Sequence, residues 1–225
     1  MVNVNKLRYP KKSHRKNVIL PKYSENLAEF FGIMMGDGGI NNPWQVNISV
    51  NSNSDLAYSK YIVALCQKLF FIEPVVRKRK ETNTLVILLT STTIVDFLVL
   101  HGLPRGNKLK SGLNIPKWIL GKPAYCKACV RGLIDTDGCA FVHVHKVKGK
   151  IYRNIGITFT SFSLELIYQV AGILEQFAIM PHISNKGRAI YIYQEDSVLR
   201  YLKIFGTSNG RIESVYKKWI DARVV

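Results

Sequence analysis

Apolar and polar residues alternate along this chain in two periods, and the periods follow each other in the same order twice. From 45 to 50 every second residue is apolar, which is typical of a strand with one buried face. The next segment has apolar residues at helical spacing, with Ser54 as a candidate N-cap. A hairpin over 74–89, turning at 81–83, and a helix over 94–100 complete this half.

The second half repeats that order with a longer first hairpin. Its predicted elements are strands at 140–147 and 151–160 with a turn near Gly149, a helix at 163–177, a hairpin of 181–184 with 189–194 around 185–187, and a helix at 198–204. The run 85–89 is apolar throughout, so the pattern leaves its facing open. We therefore predict an α+β fold in which helix, two strands, helix, two strands, helix occurs twice.

Each half follows an apolar, helix-like run that ends in an acid and a glycine. The first run is Gly32-Ile33-Met34-Met35-Gly36-Asp37-Gly38, and the second is Gly132-Leu133-Ile134-Asp135-Thr136-Asp137-Gly138. A glycine followed four residues later by a small residue gives a helix a flat strip, so two such helices can pack backbone to backbone. That packing would bring Asp37 and Asp137 together.

Two ionised carboxylates at the C-terminal ends of adjacent helices are unfavourable. They repel each other and lie at the negative ends of both helix dipoles. A bound divalent cation would relieve this, and paired carboxylates suit metal-dependent phosphodiester chemistry. The alternative is that Asp37 and Asp137 are ordinary helix-end acids before a C-cap glycine.

The charge balance of the chain indicates a polyanionic partner. The 225 residues include 32 Lys and Arg against 15 Asp and Glu, which gives a net charge of +17. These cations are spread over the predicted arm, hairpins and linker, which favours nucleic acid over a membrane surface. A basic surface that serves only solubility is the alternative.

The ends and the interior of the chain lack the patterns of secreted and membrane proteins. No apolar run is long enough to span a bilayer, and the N-terminus has no apolar signal segment. We therefore expect a soluble, intracellular protein without a membrane partner. We predict a basic, solvated arm at 1–22, a first repeat at 23–103, a linker at 104–123 with a packed element at 116–119, and a second repeat at 124–225. Segments that would flank an intein are not expected, because the repeats fill the chain.

The four cysteines allow one further interpretation. Cys126 and Cys129 form a CxxC pair, and His143 and His145 follow, so a zinc site is conceivable. No second CxxC pair accompanies them, and the second glycine-rich run lies between. We favour cysteines buried in the core of a protein from a reducing compartment.

The two motifs resemble those of the LAGLIDADG homing endonuclease family, in its single-chain, two-repeat form. The second motif matches the family name closely, whereas the first has Met35 and Gly36 in place of its first Asp and second Ala. Both copies keep the second Asp, as Asp37 and Asp137. The resemblance implies two pseudo-symmetric αββαββα repeats, whose sheets form a saddle over DNA and whose motif helices form the seam beneath it.

The resemblance also implies an activity. A monomer of this type makes Mg²⁺-dependent double-strand breaks, with short 3′ overhangs, in a long and nearly asymmetric DNA target, as in intron homing. The metal ligands implied are the Asp37 and Asp137 carboxylates and the backbone carbonyls of Gly36 and Thr136. These ions would activate water and stabilise the leaving oxygen.

A basic residue near the scissile phosphate is a further feature that the resemblance implies. Lys108 stands at that point of the first repeat, and Arg211 is its nearest counterpart in the second. Either cation could polarise water or offset charge in the transition state. Because arginine does not donate a proton usefully at neutral pH, the two active sites are expected to work at different rates. Solvated linker cations are the alternative.

Side chains on the outer faces of the strands are the candidate DNA contacts. Arg suits guanine, and Gln or Asn suits adenine, in the major groove. The candidates are Gln45, Asn47, Ser49, Arg77, Arg79, His143, Lys148, Arg153, Thr158, Lys186, Arg188, Tyr191 and Tyr193. The segment 77–80 could equally be a solvated hairpin tip.

A second class of function remains open. Some LAGLIDADG proteins act as maturases or regulators that keep the fold without cutting DNA, with intron RNA as a partner. Retention of both Asp37 and Asp137 favours the nuclease and does not exclude a maturase role beside it.

Overall fold

The chain folds as two copies of one unit, as seen in a computed structural model that describes residues 7–8, 18–184 and 186–222. The first copy consists of α1 (Glu25–Gly36), β1 (Gly38–Asn42), β2 (Gln45–Asn51), α2 (Leu56–Phe70), β3 (Val75–Lys78), β4 (Thr84–Thr90) and α3 (Thr92–Leu100). After the short α4 (Lys117–Leu120), the second copy consists of α5 (Pro123–Asp137), β5 (Gly138–Val147), β6 (Lys150–Thr160), α6 (Leu164–Gln176), β7 (His182–Ile183), β8 (Ala189–Ile192) and α7 (Glu195–Ile204). A further helix, α8 (Gly210–Asp221), follows. The predicted α+β fold with two αββαββα repeats is confirmed.

Each copy forms an antiparallel sheet of four strands. The strand orders are β1-β2-β4-β3 and β5-β6-β8-β7, so the two sheets have the same topology. The first hairpin of the second copy is longer, with strands of 10 and 11 residues against 5 and 7 in the first copy. Its turn is made by Lys148 and Gly149, both with positive φ (46° and 82°), which suits a tight two-residue hairpin. Asn185, in the other predicted turn, lies outside the described residues.

Burial along the strands follows the predicted alternation. Val46 and Ile48 of β2 are fully buried, and the polar residues between them are not. The register of β4 resolves the apolar run 85–89, because Ile87 pairs with Ile48 and lies in the core. Val86 and Leu88 therefore lie on the opposite face of this sheet, beside Ser49 and Asn47.

The polar stretch after Asp37 forms β1, the first of the two strands predicted after the first motif helix, and its Gly38 and Gly39 pair with Ile48 and Asn47. One local prediction in this copy is wrong. Helix α2 begins after Asp55, and Ser54 is not its N-cap, since the Ser54 hydroxyl donates to the Asp55 carboxylate at 3.0 Å. Helical spacing alone does not fix which of these two adjacent residues precedes the helix.

Helix α8 is an element that the sequence prediction missed. Asn209 caps it by accepting a hydrogen bond from the Arg211 N–H at 3.0 Å. Ile212 and Trp219 bury its apolar side, and the Trp219 Nε1–H donates to the Arg153 carbonyl of β6 at 2.9 Å. The helix thus supports the long β5–β6 hairpin, which has no counterpart of that length in the first sheet.

Most of the predicted arm at 1–22 lies outside the described residues. The described part is packed against the first copy, in contrast to a solvated arm. Leu7 is buried in the core, and the Arg8 guanidinium pairs with Asp96 of α3 at 2.6 Å. The Ile19 N–H donates to the Phe70 carbonyl at 3.2 Å.

Helices α1 and α5 pack backbone to backbone at the centre of the molecule. A Cβ placed on Gly32 would lie 2.2 Å from the Cys129 carbonyl oxygen. A Cβ on Gly132 would lie 2.4 Å from the Glu29 carbonyl oxygen. Only glycine allows these approaches, so the predicted close packing of the two motif helices is confirmed.

A single hydrophobic core joins the two copies across this seam. It includes Phe30 and Ile33 of α1, Val130 and Leu133 of α5, and the buried faces of both sheets. Within the described ranges, no helix is long and apolar enough to cross a membrane.

Candidate nuclease site

The two motif acids lie at adjacent ends of the central helices. Asp37 is the C-cap of α1, and Asp137 is the last residue of α5. A Cβ on Gly36 would lie 3.3 Å from Asp137 Oδ2, so the Asp137 carboxylate borders the backbone of the other motif helix. The seam glycines therefore bring the two carboxylates to one place, as the motif spacing predicts.

Burial and mutual repulsion make this pair of acids unusual. Desolvation and the charge of Asp137 raise the pKa of Asp37 to about 7, against the partial relief that Lys108 gives. Burial also raises the pKa of Asp137, and Lys108 again opposes the shift. Two half-buried carboxylates that resist ionisation together supply hard oxygen ligands that a divalent cation would stabilise. The donor set therefore fits a metal of the Mg²⁺ type.

Lys108 lies at the end of the first motif helix. Its Nζ donates to the Gly36 carbonyl at 2.5 Å and to the Met35 carbonyl at 2.9 Å. Helix ends leave such carbonyls without partners and carry partial negative charge, so the ammonium both caps and neutralises α1. Burial lowers the pKa of Lys108, while the charges of Asp137 and Asp37 raise it.

Arg211 occupies the matching end of the second motif helix with different contacts. Its Nη2 donates to the carbonyl of Gly138, the C-cap residue of α5, at 3.2 Å. Its Nε lies 3.4 Å from the Asp55 Oδ1 of the first copy. Its positive charge also lowers the pKa of Asp37, so it lies within electrostatic reach of the acid pair. The structure therefore brings both sequence-predicted cations to the acids.

The two backbone carbonyls predicted as metal ligands have different surroundings. The Gly36 carbonyl already accepts the Lys108 hydrogen bond. At the other helix end, the Thr136 hydroxyl donates to the carbonyls of Gly132 and Leu133, both at 2.9 Å. The Thr136 hydroxyl is therefore occupied within its own helix. The atom predicted as a ligand is the Thr136 backbone carbonyl.

The outer face of the first sheet carries four of the predicted DNA contacts. Gln45, Asn47 and Ser49 alternate with the buried residues of β2. Arg77 pairs with Val86, which places it on the same face as Ser49. Arg79 lies just beyond β3, and its N–H donates to the Thr84 carbonyl at 2.9 Å.

The outer face of the second sheet is aromatic. In its register His143 pairs with Asn154, and Thr158 pairs with Tyr191. Tyr193 lies two residues after Tyr191 and therefore on the same face. The Tyr191 and Tyr193 rings stack with centroids 5.2 Å apart.

One predicted contact lies on the wrong face. Arg153 pairs with Val144 and shares the side of Ile155, opposite to His143. Its carbonyl holds Trp219 of α8. The error is one of parity, because Arg153 and Ile155 lie two residues apart on the same strand and alternation places both on one face.

Basic residues between β7 and β8 of the second sheet and an acid of the motif pair line one cavity. An open cavity of about 860 Å³ is lined by Lys108 and Asp137 of the acid site and also by Lys186 and Arg188. The Arg188 guanidinium lies over the Phe162 ring, 5.2 Å from its centroid. Lys148 is exposed at the tip of the β5–β6 hairpin.

Several residues on the outer face of the second sheet are not among the DNA contacts predicted from the sequence. Strand register adds Phe141, His145, Tyr152, Asn154 and His182 to the outer face of the second sheet. A Cβ on Gly156 would lie 2.5 Å from the Phe141 ring, so this ring covers the neighbouring strand. Period-two counting from Cys139 would have found the first two, since they share its parity.

Three of the four cysteines are part of the core, and Cys139 is half-buried. Cys126 and Cys129 are buried on α5, where Cys129 contacts Gly32 of the other motif helix. Among the residues that the structure describes, no group of three or more His, Cys, Asp or Glu side chains could hold a metal ion. The cysteine–histidine zinc alternative therefore has no support in the described chain.

Comparison with known proteins agrees with this geometry. Residues 124–206 match a family model described as a LAGLIDADG-like domain. One of the subunits of the A-type ATP synthase of Pyrococcus abyssi (strain GE5 / Orsay) is 32% identical over 133 residues, which are 59% of this chain and 12% of that protein. This chain thus spans only a small part of that relative's length.

Solved structures resemble the whole chain. The meganuclease I-SmaMI, bound to uncleaveable DNA, gives a TM-score of 0.57 at 10% identity, covering 90% of this chain and 89% of that one. The LAGLIDADG homing endonuclease I-LtrWI, bound to target DNA, gives a TM-score of 0.57 at 12% identity, covering 87% and 88%. I-SmaMI is also known bound to uncleaved DNA in the presence of calcium ions.

These findings confirm the family resemblance. The molecule has the fold of the LAGLIDADG homing endonucleases, with two motif helices at its centre and a four-stranded sheet on each side. Residues 124–206, in its second half, are similar to a LAGLIDADG-like domain.

Proposed function

We propose that this protein is a site-specific DNA endonuclease that makes Mg²⁺-dependent double-strand breaks in a long, nearly asymmetric target of the intron-homing type. The observation that carries the proposal is the pair of half-buried carboxylates, Asp37 and Asp137, at adjacent ends of two glycine-packed helices. The DNA-bound state of I-SmaMI and I-LtrWI, which have this fold, supports the choice of substrate.

The acids and the cations have separate roles in this proposal. Asp37 and Asp137, with the backbone carbonyls of Gly36 and Thr136, would hold the metal. When bound, Mg²⁺ supplies an activated water and stabilises the leaving oxygen. Lys108 and Arg211 add positive charge beside the scissile phosphates, where negative charge develops.

The two sheets would read the two halves of the target. The first sheet presents amides, a hydroxyl and Arg77, which suit hydrogen bonds to base edges. The second presents Tyr191, Tyr193 and His143, while the cations at 186 and 188 would contact phosphates. Different chemistry on the two faces suits an asymmetric site, and one polypeptide that carries both halves suits a monomer.

Cleavage of a randomised double-stranded DNA library tests the proposal. The protein is incubated with the library in Mg²⁺, and a parallel reaction contains EDTA. We expect recovered ends that define one long site in Mg²⁺ and no cleavage in EDTA. Binding of the recovered site should weaken steeply with salt, because phosphate contacts release counterions.

The contrary result is equally clear. Tight, site-selective binding without cuts in Mg²⁺ would overturn the nuclease and favour the maturase or regulator class. Binding to intron RNA in the same assay would then be the next measurement.

A further inference from the structure

Two buried carboxylates and a half-buried arginine lie beneath the Arg211 end of the seam. Glu29 of α1 is fully buried, and Asp135 of α5 is 1% exposed. Arg131 of α5 pairs with Glu29 through Nη2 and donates through Nη1 to the Phe205 carbonyl at 3.2 Å. Charges removed from water in this way are costly unless specific partners hold them. The metal chemistry proposed above uses none of the three.

Both carboxylates hold the segment that leads to Arg211. Glu29 Oε1 accepts a hydrogen bond from the Ser208 hydroxyl at 2.7 Å, although 179 residues separate the two. Asp135 accepts from the Thr207 hydroxyl at 2.5 Å and from the Ser208 N–H at 2.7 Å. Ser208 is therefore hydrogen-bonded to both motif helices, to Glu29 of α1 and to Asp135 of α5. We call these hydrogen bonds the clamp.

The clamp continues to Arg211 through Asn209. The Asn209 side chain, 1% exposed, donates to the Asp135 carbonyl at 2.9 Å and to Asp55 Oδ1 at 3.0 Å. Its own Oδ1 accepts from the Arg211 N–H at 3.0 Å. Asp55 in turn lies 3.4 Å from Arg211 Nε. Arg211 is thus held at its backbone N–H by Asn209, and its guanidinium lies within ion-pair distance of the same Asp55 that Asn209 binds.

The Lys108 end is built without this clamp. The residues at the equivalent motif positions are Cys129, Phe31 and Met35, which are apolar and buried. Lys108 is held instead by the carbonyls that end α1. Among the described residues, the buried carboxylates are therefore connected to Arg211 and have no equivalent beside Lys108.

We propose that Glu29 and Asp135 are positioning residues for Arg211, and that they act through Ser208 and Asn209. This role rests on the proposed nuclease function and deepens it. It assigns the buried network to the reaction of a single DNA strand, the one whose phosphate lies at the Arg211 end.

Two variants that remove the same kind of bond test the role. Ser208→Ala and Tyr61→Phe each remove one hydroxyl donor from Glu29 Oε1, at 2.7 and 2.8 Å in the native chain. Tyr61 lies on α2, outside the segment that leads to Arg211. Its hydroxyl also interacts with Ser208, but Tyr61→Phe leaves the Ser208–Glu29 hydrogen bond in place. The substrate is the duplex recovered from the randomised library, with the two strands labelled differently, and Arg211→Ala identifies the strand that depends on Arg211.

We expect Ser208→Ala to slow cleavage of that strand about 10- to 100-fold, as small misplacements of catalytic groups do. The other strand should keep its rate within about twofold, so that nicked DNA accumulates. Tyr61→Phe should leave both rates within about twofold, with a change in melting temperature similar to that of Ser208→Ala. Ser208→Thr, which keeps the hydroxyl, should restore cutting.

Equal slowing of both strands by Ser208→Ala would overturn the positioning role, because a purely structural defect does not select a strand. So would an Arg211→Ala variant that slows neither strand, or a Tyr61→Phe variant as strand-selective as Ser208→Ala. Failure of the unsubstituted chain to cut the library would overturn the proposed function itself and this role with it.

Discussion

The two ends of the seam hold their cations in different ways. Lys108 Nζ sits on the last carbonyls of α1, with the Gly36 oxygen at 2.5 Å. The Arg211 guanidinium donates to the Gly138 carbonyl at 3.2 Å and lies 3.4 Å from Asp55 of the other copy. Backbone carbonyls at the end of α1 bind the lysine, whereas the arginine is connected to a buried network of polar side chains.

The difference teaches what duplication preserves. The glycines that bring α1 and α5 together and the acids that end them are the same in both copies. The positions beneath differ, with Met35 in one copy against Asp135 in the other. Each motif helix packs against the backbone of the other, so neither seam glycine tolerates a larger side chain. A cation needs only nearby oxygen acceptors, and different residues can supply them.

The largest expected effect comes from the shared acids. Asp37→Asn and Asp137→Asn should each lower double-strand cleavage by more than about 100-fold, since even a group that only supports a metal ligand is worth about 10- to 100-fold. Because the neutral amide relieves the repulsion, thermal stability without metal should not fall. Strand-specific cleavage assays and melting curves check this, with the exposed Asp196→Asn as a control. Full activity of either variant would remove that acid from the site.

The next largest effect separates the two ends. Lys108→Ala should slow one strand and Arg211→Ala the other, each by about 100- to 1000-fold if the cation stabilises transition-state charge. Single-turnover assays with differently labelled strands measure both rates. Lys110→Ala, exposed and two residues from Lys108, is the matched control. If both variants slowed the same strand, the comparison between the ends would be wrong.

The seam glycines should behave alike, in contrast to the cations. Gly32→Ala and Gly132→Ala each force a Cβ against backbone at 2.2 and 2.4 Å, so each should lower the free energy of unfolding by about 3 kcal/mol or more. Gly172→Ala, in α6 with open space around it, should raise that free energy by about 0.5–1 kcal/mol. Denaturant titration distinguishes these outcomes. A large cost in only one seam glycine would show that the contact is not reciprocal.

The smallest effect is a pH dependence without metal. The pKa of Asp37 is raised to about 7 by burial and by Asp137 and Asp55, against Lys108 and Arg211. Burial likewise raises the pKa of Asp135 to about 7, against the hydrogen bonds from Thr207 and Ser208. A carboxyl with a raised pKa in the folded state stabilises fully below about pH 4, and this stability is lost as the pH rises through 7.

The free energy of unfolding in EDTA should therefore fall between pH 5 and pH 8, by about 2 kcal/mol for each carboxyl whose pKa is displaced. Urea titrations at the two pH values measure it. Asp37→Asn should reduce the fall, and Mg²⁺ should reduce it in the native chain but not in the variant. A fall unchanged by Asp37→Asn would assign the effect to Asp135.

Local periodicity predicted much of the fold. The alternation at 45–50 and 151–160 follows directly from a one-sided core, and the order of elements is as predicted. The elements that escaped prediction depend on distant partners. Helix α8 is such an element, since it packs against the long β5–β6 hairpin. The face of Arg153, by contrast, was readable from the pattern, since Arg153 shares the parity of Ile155 on the same strand.

The sequence by itself determined the repeat, the paired glycines and the two acids, because each is a local pattern whose steric or electrostatic consequence is short-ranged. Only the tertiary structure decided how the cations are held. Glu29, Asp135 and Ser208 lie far apart along the chain, and no period connects them. They meet because the backbone contact between α1 and α5 leaves buried carboxylates that must find donors, and the segment before α8 provides them.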